Sequence, residues 1–289
     1  MSNTIELAKS FVPKLDECYR LASLTSVLDG APELAKQGAN ANELIIPMMS
    51  MDGLADYSRN GGYVQGGVTM TNETVKCNFD RGRRFDVDVM DDLETAGLAF
   101  GRLSAQFIRD KVVPELDAFR FASYCGISGV TKKEETLSNG VATVAALSAA
   151  VTAMDDEEVT ATGRYLFITP TLLQAINDMD TTKSKKVLEG FEGVIKVPQR
   201  RFYTAIKQLS GKTGEEAGGY TKATGAANIN FAIIQKDALI QYTKHAAPKI
   251  IAPENNPDAD AYVFGYRMVG IAKAYQNMLS GVYFSHDKA

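Results

Sequence analysis

Phe107-Ile108-Arg109-Asp110-Lys111-Val112-Val113-Pro114-Glu115-Leu116-Asp117-Ala118-Phe119-Arg120 is the stretch around which the rest of the sequence is read. Just before it, Leu93, Ala96, Phe100, Leu103 and Phe107 recur at spacings of 3, 4, 3 and 4. That spacing lays them along one stripe of a helix, with Arg102, Arg109 and Asp110 largely off it. The helical pattern continues through Leu116, Phe119 and Phe121 to Gly126, with Pro114 in its middle. A proline deletes a backbone donor and crowds the preceding turn, so a bend is expected there rather than a stop. A helix over residues 91–126 exceeds the common length of about 8–20 residues. One narrow stripe on so long a rod predicts a strut that spans the protein. Asp91 and Asp92 stand at its expected start, where the helix dipole favours carboxylates.

Ahead of the strut the period changes to two. Val75, Cys77 and Phe79 alternate with polar residues, and so do Phe85, Val87 and Val89. With Asp80-Arg81-Gly82 between them, they predict two strands around a turn. An isolated hairpin is marginal in water, so this pair must lie on something. Before it runs a glycine-rich excursion with Gly53, Gly61, Gly62, Gly66 and Gly67, whose Tyr57 and Tyr63 have no evident core to enter. Long excursions of this kind usually carry function or contacts. Residues 43–51 are apolar but contain Pro47, the mark of an edge strand. In residues 1–42, the spacing of Leu7, Phe11 and Leu15 is interrupted by Pro13, which fits an arm packed on other parts or other subunits.

After the strut, residues 127–139 read as a polar loop, and Val141, Val144, Ser148, Val151 and Met154 mark a helix of small residues. Tyr165-Leu166-Phe167-Ile168 reads as a buried strand, after which Thr169 is expected to cap a helix with Pro170 in its first turn. Residues 193–197 and 229–234 read as further strands, separated by a glycine-rich, flexible insertion at 207–228. In the tail, Tyr262, Phe264, Tyr266 and Met268 alternate with Val263, Arg267 and Val269, and the alternation resumes at Val282 and Phe284 after a turn at Gly281. Antiparallel strands are expected there. The class is α+β. The expected division is an arm at 1–42, an excursion at 43–90, a unit made of 91–138 and 246–289, and a second unit at 139–245.

Several chemistries are excluded by what is missing. The 289 residues include only two histidines, His245 and His286, in no metal-ligand or catalytic pattern. Cys18, Cys77 and Cys125 are too widely spaced for a CxxC site and fit a reducing compartment. Gly211-Lys212-Thr213 lacks the earlier glycine of a phosphate loop, since Ile206 stands in that position. Asp86, Asp88, Asp91 and Asp92 fail the calcium-loop pattern at Met90. No catalytic, cofactor-binding or metal-binding residue is assigned, and no cofactor is expected. A net charge of -4 disfavours a chain that grips a polyanion over its whole surface. The start of the sequence lacks a signal-peptide pattern, and the uncharged run at 136–154 is too rich in Ala, Ser, Thr and Gly for a membrane span.

Asp80-Arg81-Gly82-Arg83-Arg84-Phe85-Asp86-Val87-Asp88 with Met90-Asp91-Asp92 resembles the segment joining the extended loop to the spine helix in tailed-phage major capsid proteins. The stretch at 107–120 looks like the middle of that spine. Arg164-Tyr165-Leu166-Phe167-Ile168-Thr169-Pro170 is similar to the strand-to-helix entry of the axial domain, and Asn255-Asn256-Pro257-Asp258-Ala259-Asp260 and Gly281-Val282-Tyr283 also match. The chain departs from that pattern in having no Trp, and in carrying Gly270-Ile271 where a His-Asp pair is expected.

The resemblance implies a Hong Kong 97 type capsid fold, with N-terminal arm (1–42), extended loop (43–90), peripheral domain (91–138 and 246–289) and axial domain (139–245). It implies many copies joined as pentamers and hexamers, in a shell enclosing double-stranded DNA without sequence-specific binding. A separate scaffolding protein, if one is used, and a portal are the other partners it implies; no membrane is involved. The location implied is the virion, assembled in the bacterial host cytoplasm. Tyr57 and Tyr63 would be buried against a neighbouring subunit, and Arg81, Arg83 and Arg84 would meet its carboxylates. The residues alone fit a solvated basic turn equally well. The alternatives are an encapsulin-like nanocompartment shell, another phage structural protein, or an α/β ligand-binding protein centred on 165–245.

Overall fold

The strut is a helix in three parts: α1 (Leu98–Phe107), a π-helical turn (Ile108–Val112) and α2 (Val113–Gly126). The computed structural model describes residues 23–30, 36–37, 43–90 and 98–288. The expected helix start at Asp91 and Asp92, the stripe positions Leu93 and Ala96, and the arm pattern at Leu7, Phe11, Pro13 and Leu15 lie outside the described residues. The irregularity expected at Pro114 takes the form of a wider turn. Val113 N–H donates five residues back, to the Ile108 carbonyl, and Pro114 then sits in the first turn of α2, where its missing donor costs little.

Among the described residues the strands form four sheets. The first runs β1 (Lys36–Gln37), β2 (Glu43–Met51), β3 (Val68–Lys76) in antiparallel order. In the second, β4 (Phe79–Asp88) pairs with β12 (Ala261–Ala274), which pairs in turn with β11 (Leu239–Ile251). The third has five strands: β5 (Thr131–Glu134), β13 (Val282–His286), β10 (Ile229–Gln235), β6 (Arg164–Ile168) and β7 (Gly193–Lys196), side by side in that order. The fourth is a small hairpin of β8 (Ile206–Gln208) and β9 (Tyr220–Lys222). The helices α3 (Gly140–Asp156), α4 (Pro170–Asn177) and α5 (Thr182–Glu189) accompany the five-stranded sheet.

Side-chain alternation explains why the strands of that sheet read as continuous apolar runs. Leu166, Ile168, Phe231 and Ile233 pack with Val144, Leu147, Ala150 and Met154 of α3. Phe167, Ala232 and Ile234 point the other way and pack with Phe121, Tyr124 and Cys125 of α2. Covered on both faces, the sheet has no use for a polar face. The near half of the rod meets a separate core, where Ile108, Val113 and Leu116 pack with Phe79, Phe264, Tyr266 and Met268. One rod thus joins two cores, as the narrow stripe predicts.

Four readings need correction. Asp80-Arg81-Gly82 is not a turn but the start of one continuous strand, β4, and the break lies at Cys77 and Asn78. The Asn78 side chain bridges the gap, donating to the Ala272 carbonyl at 2.9 Å and accepting from its N–H at 3.0 Å. Residues 131–134, read as loop, form β5, a fully exposed edge strand that pairs in parallel with β13. Thr169 occupies the N-cap of α4 without a side-chain capping bond; its own N–H donates to Asn230 O. The tail strands do not share a sheet, because β12 lies beside β4 whereas β13 lies in the five-stranded sheet.

A buried polar cluster fixes residues 23–30 to the rod. The Asp117 carboxylate is wholly buried and accepts from Ser23 Oγ (3.0 Å), Thr25 Oγ1 (2.7 Å), the N–H groups of Leu24 and Thr25, and Arg201 Nη1 (3.2 Å). One turn on, Arg120 donates to Thr25 Oγ1, Asp29 Oδ1 and Thr243 Oγ1. Gln241 of β11 donates to Thr25 O and Asp29 Oδ1 and accepts from Tyr124 OH. Buried charges persist only when paired and hydrogen-bonded in this way.

Two outcomes follow for stability. Asp117→Ala strands Arg201 and several donors in a dry site and should lower the unfolding free energy by about 3–5 kcal/mol in a urea titration. Gly82→Ala should cost about 1–3 kcal/mol, because a Cβ there lies 2.8 Å from the Tyr266 carbonyl in the paired strand; a tolerated alanine would restore the turn reading.

Candidate functional site

Among the described residues, the hairpin β2–β3 leaves a run of apolar surface uncovered. In its register Met49 lies opposite Met70 and Met51 opposite Val68. Directly opposed residues share a face, so these four form one apolar patch, and all four are exposed. Ser50 and Thr69 are opposed on the other face. The end of the hairpin nearest its tip therefore presents apolar side chains to solvent on one face, an arrangement that marks a contact surface.

Beyond the patch, residues 52–67 form the tip. Asp52 N–H donates to Gly67 O at 3.1 Å, and Gly67 N–H donates to Asp52 Oδ2 at 2.7 Å, which closes the neck. Gly62, with φ of 75°, supplies the left-handed turn that returns the chain to Ser58. Tyr57 and Tyr63 are brought together, ring centroids 4.9 Å apart, yet Tyr63 remains 91% exposed. Leu54 and Val64 are exposed beside them. The anchor is at the other end, where Val75 is buried against Ile240 and Ile271. Pro47 lies opposite Asn72 in the β2–β3 pairing and beyond the two residues of β2 that β1 pairs.

The three arginines expected at the base all lie on β4 but do different things. Arg81 finds its carboxylate in its own chain: Nε donates to Glu115 Oε1 at 2.8 Å, and Nη2 donates to Leu209 O at 2.7 Å and Gly219 O at 3.3 Å. Burial pushes the Glu115 carboxyl up, against the opposing pull of Arg81 and Gln208. Arg83 points along the same face of the strand and donates to Glu216 O at 2.9 Å. Its guanidinium lies 3.0 Å from where a Cβ would stand on Gly211 or Gly218, both at positive φ. The loop expected to be a flexible insertion is thus held at its neck by Arg81 and at its tip by Arg83. Within it, Lys207 and the Ser210 N–H hold the Glu215 carboxyl down to about 2. Arg84, with its side chain 54% exposed, pairs among the described residues with the similarly exposed Asp86, at 2.8 Å.

Between β4, the π turn and the β8–β9 hairpin lies a cleft of about 850 Å³. Among the described residues no cluster of His, Cys, Asp or Glu could hold a metal ion, and no helix is long and apolar enough to cross a membrane. The sequence reading missed the patch at Met49, Met51, Val68 and Met70. The alternation Val68-Thr69-Met70-Thr71 was the available signal, hidden by the glycines next to it. Glu115 carried no signal, because its partner is far away in sequence.

No family model matches this sequence, and no curated protein matches it. Solved structures do. A structure from Gordonia phage Cozz aligns with a TM-score of 0.60 at 11% identity, over 93% of this chain and 87% of that one. The acid-stable capsid structure of Helicobacter pylori bacteriophage KHP30 aligns at 0.58 and 12% identity, over 93% and 91%. A virus-like particle from Pyrococcus furiosus aligns at 0.57 and 10% identity, over 93% and 98%. At these identities the likeness is one of fold. The chain has the α+β fold of phage capsid and virus-like particle subunits, consistent with the Hong Kong 97 type expected from its sequence.

Proposed function

We propose that this chain is a shell subunit, the major capsid protein of a tailed bacteriophage or prophage. Copies would join as pentamers and hexamers and close into an icosahedral shell around double-stranded DNA, in the virion and after assembly in the host cytoplasm. The observation that carries this reading is the β2–β3 hairpin, whose apolar patch at Met49, Met51, Val68 and Met70 is covered by none of the described residues. Each contact can be weak, because simultaneous contacts add by avidity, and a heterologous contact that turns through the right angle closes a ring. The shell acts by association, without turnover.

In this reading residues 1–42 are the arm, 43–90 the extended loop, 91–138 with 246–289 the peripheral domain and 139–245 the axial domain. Strand β13 of the proposed peripheral stretch pairs with β10 of the proposed axial stretch, so the two share a sheet in this reading. A portal, and a separate scaffolding protein where one is used, are the proposed partners. A net charge of -4 suits a wall that encloses DNA without gripping it. A second reading is a nanocompartment shell, which would share the fold; a virus-like particle from Pyrococcus furiosus is among the structures this chain resembles. DNA inside purified particles separates the two.

Negative-stain microscopy of the expressed chain, alone and with its neighbouring genes, should show closed shells. A chain that stays single at high concentration under both conditions would contradict the proposal, and open tubes would point to a tail component. The doubly substituted Met49→Thr, Met70→Thr chain should keep its unfolding free energy within about 0.5 kcal/mol and lose most of its particle yield. Arg84→Glu should likewise leave the single chain folded by circular dichroism while lowering shell yield, since its guanidinium, exposed beside Asp86, is placed where a neighbour's carboxylates can reach it in this reading.

A further inference from the structure

The methionines of this chain divide sharply by exposure. Met154 and Met268 are buried in separate cores, whereas Met49, Met51 and Met70 on the β2–β3 hairpin are 58%, 66% and 64% exposed. The register sets Met49 opposite Met70 and Met51 opposite Val68, so three thioethers stand on one face. A thioether needs no deprotonation before it meets an oxidant, so access decides which methionines react. The product is a polar sulfoxide with a strong acceptor oxygen. None of the four side chains of the patch can donate a hydrogen bond to that oxygen, and a buried acceptor without a donor is costly.

We propose that Met49, Met51 and Met70 form an oxidation site that controls self-association: a hydroperoxide converts their thioethers to sulfoxides in the single chain and so withdraws the patch from assembly. In each step sulfur attacks one peroxide oxygen, the O–O bond breaks as the S–O bond forms, and sulfur loses the two electrons that the peroxide gains. With hydrogen peroxide, the departing hydroxide takes up the proton of the transferred oxygen and leaves as water. A dithiol-dependent methionine sulfoxide reductase reverses the change, its two thiols becoming a disulfide as the oxygen leaves as water. The proposal rests on the shell-subunit reading and adds a chemical control to the face which that reading buries. Met90 and Met278, exposed but outside the hairpin, serve as internal references, because their oxidation adds no polarity to the patch.

The test treats the single chain with hydrogen peroxide, maps sulfoxides by peptide mass spectrometry and then measures particle yield under conditions that assemble the untreated chain. Met49, Met51 and Met70 should oxidise well ahead of Met154 and Met268, and yield should fall several-fold. Treatment with the reductase and a dithiol should restore it. The Met49→Leu, Met51→Leu, Met70→Leu chain keeps an apolar patch, so it should assemble as the parent does and hold its yield after peroxide. The Met90→Leu, Met278→Leu chain should stay as sensitive as the parent. Undiminished yield from a parent chain carrying all three sulfoxides overturns the control and leaves the shell reading standing, as does an equal loss in the triple-leucine chain. An untreated parent that forms no particles overturns both.

Discussion

The buried carboxylate of Asp117 is the constraint on which the architecture depends. It stands on the rod where the two cores meet and takes donors from residues 23–25 and from Arg201. Arg120, one turn away, reaches Asp29 and Thr243. A greasy core fixes distances loosely, because apolar contacts have no direction. Buried charge-assisted bonds are directional and costly to leave unmade. The rod, the segment at 23–30, β11 and the turn at 199–201 are therefore held in one arrangement, and both cores inherit it.

The same rigidity extends to the projecting parts. The hairpin strand β3 passes into β4 through two residues, and β4 is paired along its length with β12. Asn78 keeps that joint bonded where the backbone ladder breaks. Arg81 and Arg83 then tie β4 to the β8–β9 loop through its carbonyls. The apolar patch on β2–β3 is thus carried at the end of a fixed lever. A contact surface held this way needs little ordering when it meets a partner, which leaves more of the burial free energy for association.

How far the sequence could be read differed from element to element for physical reasons. The rod was legible because apolar residues spaced alternately by three and four line up on one side of a helix and on neither face of a strand. The strands β6, β7 and β10 were legible as short apolar runs, since each is covered on both faces. The hairpin at 74–89 was misplaced because alternation in period two continues across Cys77 and Asn78, and Gly82 looked like a turn residue. It is a glycine for a different reason, the close approach of Tyr266 O. Strand β5 gave no pattern, because Thr131-Lys132-Lys133-Glu134 joins its sheet by backbone pairing alone. At the candidate site, Tyr57 and Tyr63 stood out as aromatics without a core. The partnership of Arg81 with Glu115 depends on tertiary packing that no local spacing encodes.

The account rests on the apolar face of β2–β3 becoming buried only when copies meet. Hydrogen exchange of residues 43–76, followed in the dilute single chain and in assembled particles, measures this directly. Strong slowing of exchange there on assembly, with the amides of β6 and β10 protected equally in both states, is the result predicted. Exchange in the hairpin that is already slow in the single chain, or equally fast in both states, would contradict it.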